Sequence, residues 1–451
     1  MDTKLTEGKP AIVILKFMLP LMIGNIFQQL YNLVDTIIVG NFVGPNALAA
    51  VGSTGTIMFF IIGTCTGMVT GFSIITSQKY GGSDYDDVKR SFTGGLVLTS
   101  GLIVIATAVM VVFIRNILYL MNTPEDIFED AYNYISVICW GIFATALYNY
   151  FSALLRAIGN SKIPLVSLVF SAVMNVGLDL LFIVKFGMGT SGASLATVIS
   201  QALSAVFCLF YIIFRVDVLK PGLEHWKLSG RIMRAQIMQG VPMALQTGIT
   251  ASGTMIMQSA FNLFGSVAVA SITAASKLQN ITTQAMFTIG QTIASYVGQN
   301  FGKQDFKRIR EGIIASLKIF AVYSVVAGVA TVLLLPYILP VFFEDGTDIS
   351  IYLPWARTYI IECASCYFFL SMIFIYRSAI QAIGHGFASM IMGLTELGAR
   401  LVLSFTSMAL GSFYVAVASD PGAWVFAGVV GVFLYLWLMK KEIRRVEEFR
   451  R

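Results

Sequence analysis

The chain has 451 residues, 57% of them hydrophobic and only 12% charged, with a formal net charge of +6 and a mean hydropathy of +0.78. A soluble domain carries roughly 25% charged residues, so the composition excludes most soluble functions and describes a polytopic, all-α integral membrane protein. The five cysteines, Cys65, Cys139, Cys208, Cys363 and Cys366, all fall in apolar runs, which implies no disulfide framework.

A spanning helix needs about 20 apolar residues, and twelve such helices are predicted in chain order. They cover 14–40, 48–78, 91–121, 129–157, 162–185, 188–215, 235–264, 267–299, 308–342, 352–383, 387–414 and 422–442. The polar start "MDTKLTEGKP" and the absence of a small-residue cleavage site make the first an uncleaved span.

Lys and Arg set the orientation. The N-terminal segment has Lys4, Lys9 and Lys16; alternate connections carry Lys79, Lys89 and Arg90, then Arg156 and Lys162, then Lys220 to Arg234, then Lys303 to Arg310. The C-terminal tail adds Lys440, Lys441, Arg444, Arg445, Arg450 and Arg451, whereas "NTPEDIFED", "EDGTD" and "SDPG" on the other side are acidic or neutral. The positive-inside rule therefore puts both termini in the cytoplasm. The basic tail serves orientation and lipid-headgroup contact, and no nucleic-acid partner is expected.

The chain repeats itself. "QKYGGSDYDDVKR" (78–90) matches "QNFGKQDFKRIRE" (299–311), with Gln78/Gln299, Gly81/Gly302 and Asp84/Asp305 at a constant offset of 221 residues. "FVGPNALAA" (42–50) matches "LFGSVAVAS" (263–271) at that offset, Pro20 pairs with Pro242, and "LLRAIG" (154–159) matches "AIQAIG" (379–384). Two parallel six-helix lobes follow, 1–219 and 232–451, joined by the linker 220–231 and related by a pseudo-twofold axis along the membrane normal. That architecture is typical of alternating-access transporters, which hold substrate between the halves.

Charge at depth marks the candidate site. At 1.5 Å per residue, Asp35 lies roughly 28 Å into the first helix, Asn175 and Asp179 about 16 and 22 Å into the fifth, and Thr197 about 12 Å from the opposite face in the sixth. These four share one depth band, at which the first lobe holds no Lys or Arg. Unpaired carboxylates with neutral oxygen neighbours require a cation, either a proton or Na⁺. The second half is expected to balance itself, with Lys277, Glu362, Glu396 and Arg400 at similar depth and Glu396/Arg400 spaced for an ion pair on one helix face.

Other signals are weaker. "CASC" (363–366) lies in an apolar helix with no second pair to complete a metal site, and His225 and His385 fall in cytoplasmic connections as ordinary loop residues. "GTCTGMVTG" (63–71) spaces small residues for close helix packing, and Pro20 and Pro242 are kink positions. Gln28, Tyr31, Gln246, Thr250, Met257, Gln258, Gln284 and Gln291 are candidates to line a cavity.

"LPLMIGNIFQQLYNLVDTIIVGNFVGPNALAAVG" (19–52), "NVGLDLLFIVKFGMGTSGASLAT" (175–197), "TELGARLVLSF" (395–405) and "RAIGNSKIP" resemble the multidrug and toxic compound extrusion (MATE) transporters over essentially the whole chain. The resemblance implies export of bulky, often cationic, amphipathic compounds in exchange for H⁺ or Na⁺, with no other cofactor and no catalytic activity. It implies that Asp35, Asn175, Asp179 and Thr197 form the cation site, and these would be the metal ligands if the ion is Na⁺. Helix seven carries no carboxylate, and Thr250 stands where one branch of the family has an acidic residue, so a second-lobe sodium site is not expected. A monomer in the cell membrane, contacting lipids, is the expected state. The rival readings are a lipid-linked sugar flippase of the same superfamily, a channel or sensor, and an intramembrane enzyme. The channel leaves the matched lobes unexplained, and the enzyme lacks a catalytic cluster at one depth.

Overall fold

The computed structural model describes residues 4–121, 123–343 and 347–450. Parts of the acidic stretches 122–130 and 344–348, and the last residue of the basic tail, lie outside them. The described residues form helices and no strand. The first half contains α1 (Pro10–Phe42), α2 (Pro45–Ser53), α3 (Gly55–Gly81), α4 (Tyr85–Leu120), α5 (Glu125–Trp140), α6 (Ile142–Ala157), α7 (Lys162–Asp179) and α8 (Gly189–Arg215). The second contains α9 (Gly230–Asn262), α10 (Gly265–Gly302), α11 (Phe306–Ile338), α12 (Leu353–Ser365), α13 (Tyr367–Ala382), α14 (Gly386–Leu410), α15 (Phe413–Val417) and α16 (Ser419–Arg450).

Eight of the described helices are long and apolar enough to span a membrane alone, and the bent pairs α5/α6 and α12/α13 add two more. The long helices α9 and α10 complete the expected twelve; their Gln, Ser and Thr content keeps their hydropathy low. Val104, Ile105, Val112, Val322 and Val325 are exposed on α4 and α11, the apolar surface expected of membrane-spanning helices.

The structure corrects four of the expected helices. The stretch 48–78 is two helices that meet at Thr54, whose hydroxyl donates to Val51 O at 2.8 Å. The stretch 129–157 bends by 47° at Gly141, and 352–383 bends by 49° at Cys366. A Cβ on Gly141 would lie 2.1 Å from Val198 Cγ2, so α8 packs where only glycine fits. "SDPG" is not a connection: Ser419 and Asp420 open α16.

The chain forms two compact units, Met1–Lys4 with Lys16–Ala244, and Leu5–Leu15 with Leu245–Arg451. In the first, α9 begins against α3 and α4. Gln236 Nε2 donates to Ser91 O at 2.8 Å, Arg231 pairs with Asp87 at 2.9 Å, and a Cβ on Gly71 would lie 2.5 Å from Gly240 Cα. His225 is buried there, with Nε2 2.9 Å from Asp86 Oδ1 and Nδ1 accepting the Gly222 N–H, so it anchors the linker rather than serving as an ordinary loop residue. In the second unit, Arg308 donates to the carbonyls of Leu5, Glu7 and Gly8.

The repeat is also visible in backbone conformation. Gly44 and Gly265 have φ of 119° and 85°, Ser83 and Gln304 have 58° and 60°, and Gly159 and Gly384 have 93° and 98°. Asp84 caps α4 by accepting from Asp87 N, and Asp305 caps α11 by accepting from Arg308 N. Partial burial raises the Asp84 carboxyl, but Lys79 and the Asp87 N–H outweigh it and hold it below its ordinary range. The bends at Gly141 and Cys366 are separated by the same 225 residues as the "AIG" triplets that follow them.

Candidate cation site

The site lies wholly within the first unit. Tyr31 and Asp35 are one turn apart on α1, and Asn175 and Asp179 one turn apart on α7, so each pair shares a helix face. α7 and α8 are clamped by a reciprocal pair, Ser167 Oγ to Ser204 O at 3.2 Å and Ser204 Oγ to Ser167 O at 3.0 Å. The helices run antiparallel from that clamp, and two turns further on Asn175 meets Thr197, with Nδ2 3.5 Å from Oγ1. The Tyr31 hydroxyl is within hydrogen-bonding reach of Thr197, and the Asp35 and Asp179 carboxyls face each other. α5 is tied to α8 by Thr190 Oγ1, which donates to Asp130 O at 3.1 Å, and one turn later Tyr134 faces both carboxyls.

The four expected residues therefore come together, joined by Tyr31, expected only as cavity lining, and by Tyr134, which sequence reasoning missed. Asn175 and Asp179 are 0% exposed and Asp35 is 8% exposed. Four of their oxygens, Asp35 Oδ1, Asn175 Oδ1 and both of Asp179, are buried without a hydrogen-bond partner. Neither carboxylate forms an ion pair with Lys, Arg or His among the described residues. The α-helix gives way directly after Asp179 to a π-helical turn, Leu180–Lys185.

An orphaned buried acceptor costs about 1–3 kcal/mol, and more when charged. Two facing carboxylates add mutual repulsion. A proton shared between them, or a hard cation that accepts carboxylate, amide and hydroxyl oxygens, removes both penalties. The donor set, all oxygen, fits either. No cluster of three His, Cys, Asp or Glu side chains occurs among the described residues.

The expected charge network of the second unit is corrected. Glu396 and Arg400 do meet, at 3.7 Å, but Glu396 also pairs with Arg377 on α13, and Arg400 Nε donates to Asp420 Oδ1 at 2.8 Å. Lys277 is exposed on α10 and Glu362 half-buried on α12, and neither joins that network. The polar candidates are spread along their helices. Gln246 is buried and accepts from Gln381 at 3.1 Å, and the Thr250 hydroxyl donates to Gln246 O. Gln258 donates to Asn262, Met257 is buried, and Gln28 and Gln284 are half-buried.

Fold and site define a duplicated helical membrane protein with an oxygen-lined acidic site in its first unit. A family model described as MatE matches residues 20–181 and 242–406. The chain is 31% identical over 306 residues to the probable multidrug resistance protein YpnP of Bacillus subtilis, covering 67% of this chain and 68% of that protein. It is 23% identical over 385 residues to the multidrug export protein MepA of Staphylococcus aureus, covering 84% and 83%. Among solved structures it superimposes on MATE in complex with MaL6 with a TM-score of 0.88, at 21% identity over 99% of each chain. A MOP superfamily transporter from Pyrococcus furiosus, whose reversed binding-pocket polarity suggests a different function, gives 0.89 at 22% identity, covering 97% and 98%. The chain belongs to the MATE family of transmembrane transporters.

Proposed function

We propose that this transporter is a secondary active multidrug exporter that moves bulky, often cationic, amphipathic compounds out of the cell in exchange for H⁺ or Na⁺. The observation that carries this reading is the set of four buried, unpartnered oxygens on Asp35, Asn175 and Asp179. The coupling cation is a transported substrate of this site. Asp35 and Asp179 supply its charge complement, and Asn175 and Thr197 supply neutral oxygens. Because a ligand shifts a conformational equilibrium only through unequal affinity for its states, cation and drug must favour opposite states for exchange to be coupled. The names of the relatives, multidrug resistance and multidrug export proteins, support the substrate class.

The flippase reading requires basic groups free to bind a pyrophosphate-linked headgroup. Arg377 and Arg400 are both spent on acids, so of the bases expected at depth in the second half only Lys277 is free for that role, which favours the drug exporter. Functionally we take the lobes as 1–219 and 232–451 with 220–231 as linker, the protein as a monomer in the cell membrane, and both termini as cytoplasmic by the distribution of Lys and Arg. The chemistry proposed is transport only, with no bond made or broken in the substrate.

Dye accumulation in inverted vesicles tests the reading, with pH and Na⁺ gradients imposed one at a time. Accumulation driven by one of them is expected. Accumulation driven by neither, or transport of a lipid-linked sugar in place of dye, refutes it.

A further inference from the structure

The end of α16 carries a feature unrelated to the cation site. Trp437, Lys440, Lys441, Arg444, Arg445 and Glu448 recur at helical spacing and so share one face. With Glu442 and with His385 of the α13–α14 turn they line a cavity of about 580 Å³. Glu442 is buried and already engaged, 3.0 Å from His385 Nε2 and 4.0 Å from Arg445 Nη1. Lys440, Lys441 and Arg444 have no ion-pair partner among the described residues, and the Lys441 ammonium lies 5.6 Å from the centre of the Trp437 ring.

Below the cavity the same helix exposes an apolar stripe. Phe433, Leu436 and Trp437 are 70%, 58% and 61% exposed, and the cations begin one turn later. A tryptophan between an apolar stripe and a basic cluster marks the membrane–water boundary. A soluble anion would use only the cations. A membrane lipid would use both parts, laying an acyl chain along the stripe and its headgroup in the cavity.

We infer that this cavity binds the headgroup of an anionic phospholipid from the leaflet at the C-terminal end of α16, with Lys440, Lys441 and Arg444 as phosphate ligands and Trp437 as the interfacial anchor. Glu442, held by His385, forms the floor, and Glu448 is the second carboxylate in a lining that otherwise presents Lys440, Lys441, Arg444 and Arg445. The contact would fix the depth of α16, whose other end carries Asp420.

Native mass spectrometry of the detergent-solubilised full chain tests this, with phosphatidylglycerol and phosphatidylcholine of identical acyl chains titrated separately. One phosphatidylglycerol should be retained at concentrations where phosphatidylcholine is not. Lys440→Gln, Lys441→Gln and Arg444→Gln should each weaken retention about fivefold, and together roughly a hundredfold. The charge-matched control Lys89→Gln/Lys220→Gln/Lys227→Gln should retain the lipid. The single changes lie on exposed side chains and report the site even where the triple variant is unstable. Equal retention of both lipids, full displacement by glycerol 1-phosphate at the lipid's own concentration, or unchanged retention by the triple variant would each overturn the assignment.

Discussion

Replacing Glu396 with glutamine should destabilise the second unit by about 3–5 kcal/mol, the cost of breaking a buried pair and leaving one charge uncompensated. The charges there sum to zero, Arg377 and Arg400 against Glu396 and Asp420, and side-chain exposures run only from 6% to 13%. After Glu396→Gln, Arg400 keeps Asp420 at 2.8 Å, but Arg377 is left without a carboxylate. The structure therefore names the rescuing change. Arg377→Met combined with Glu396→Gln leaves the Arg400–Asp420 pair intact and should recover most of the loss. Glu396→Gln with Arg400→Met is equally neutral, yet strands Arg377 and Asp420 apart from each other, and should not recover. Thermal unfolding of the four purified proteins in one detergent, read by size-exclusion fluorescence, measures the order. If the Glu396/Arg400 double variant is the more stable of the two, the pairing deduced here is wrong.

Gly71→Ala should destabilise the first unit by about 1–3 kcal/mol, because the new methyl would meet the Gly240 backbone, which cannot swing aside; unfolding temperature unchanged from wild type would contradict this. Cysteines introduced by Lys89→Cys and Lys303→Cys should react with an impermeant thiol reagent from the same side of the membrane, on a background lacking the native cysteines. Labelling from opposite sides would break both the duplication and the charge rule. Tyr134→Phe keeps the ring and removes a hydroxyl that interacts through space with both carboxyls, so it should change the cation dependence of transport by roughly 2–5-fold in half-maximal concentration, under about 1 kcal/mol, and leave folding intact. A purely structural tyrosine would show the reverse.

The cluster proposed as the cation site was legible because its signal is local and chemically costly. Asp35 and Asp179 interrupt apolar runs, and Asn175 and Thr197 fall at the same depth by simple counting along helices. Tyr134 was not legible, since one tyrosine among 18 has no distinguishing neighbour until the Thr190–Asp130 contact turns α5 toward the site. Arg377 and Asp420 were missed for a different reason. Asp420 precedes a proline and reads as turn, yet "SDP" is equally a helix start, and only the packing of α14 on α16 brings it to Arg400. The bends at Gly141 and Cys366 and the π turn after Asp179 contain no proline, so their cause lies in tertiary contacts such as Val198 against Gly141. The two folded halves, by contrast, could be read from repeated Gly and Asp positions that reappear as repeated backbone angles and caps.

The most direct test of the central claim is gradient-driven dye export by Asp35→Asn and Asp179→Asn, each reconstituted in vesicles beside the wild-type protein. Asparagine nearly preserves the volume while it removes the charge and exchanges one acceptor oxygen for an N–H donor, so any effect belongs to the polar chemistry of the site rather than to packing. Both variants should insert and fold as the wild type does, bind dye, and lose export driven by the imposed cation gradient. Full gradient-driven export by both would show that the buried carboxylates do not carry the driving cation, and retention by one alone would confine the site to the other.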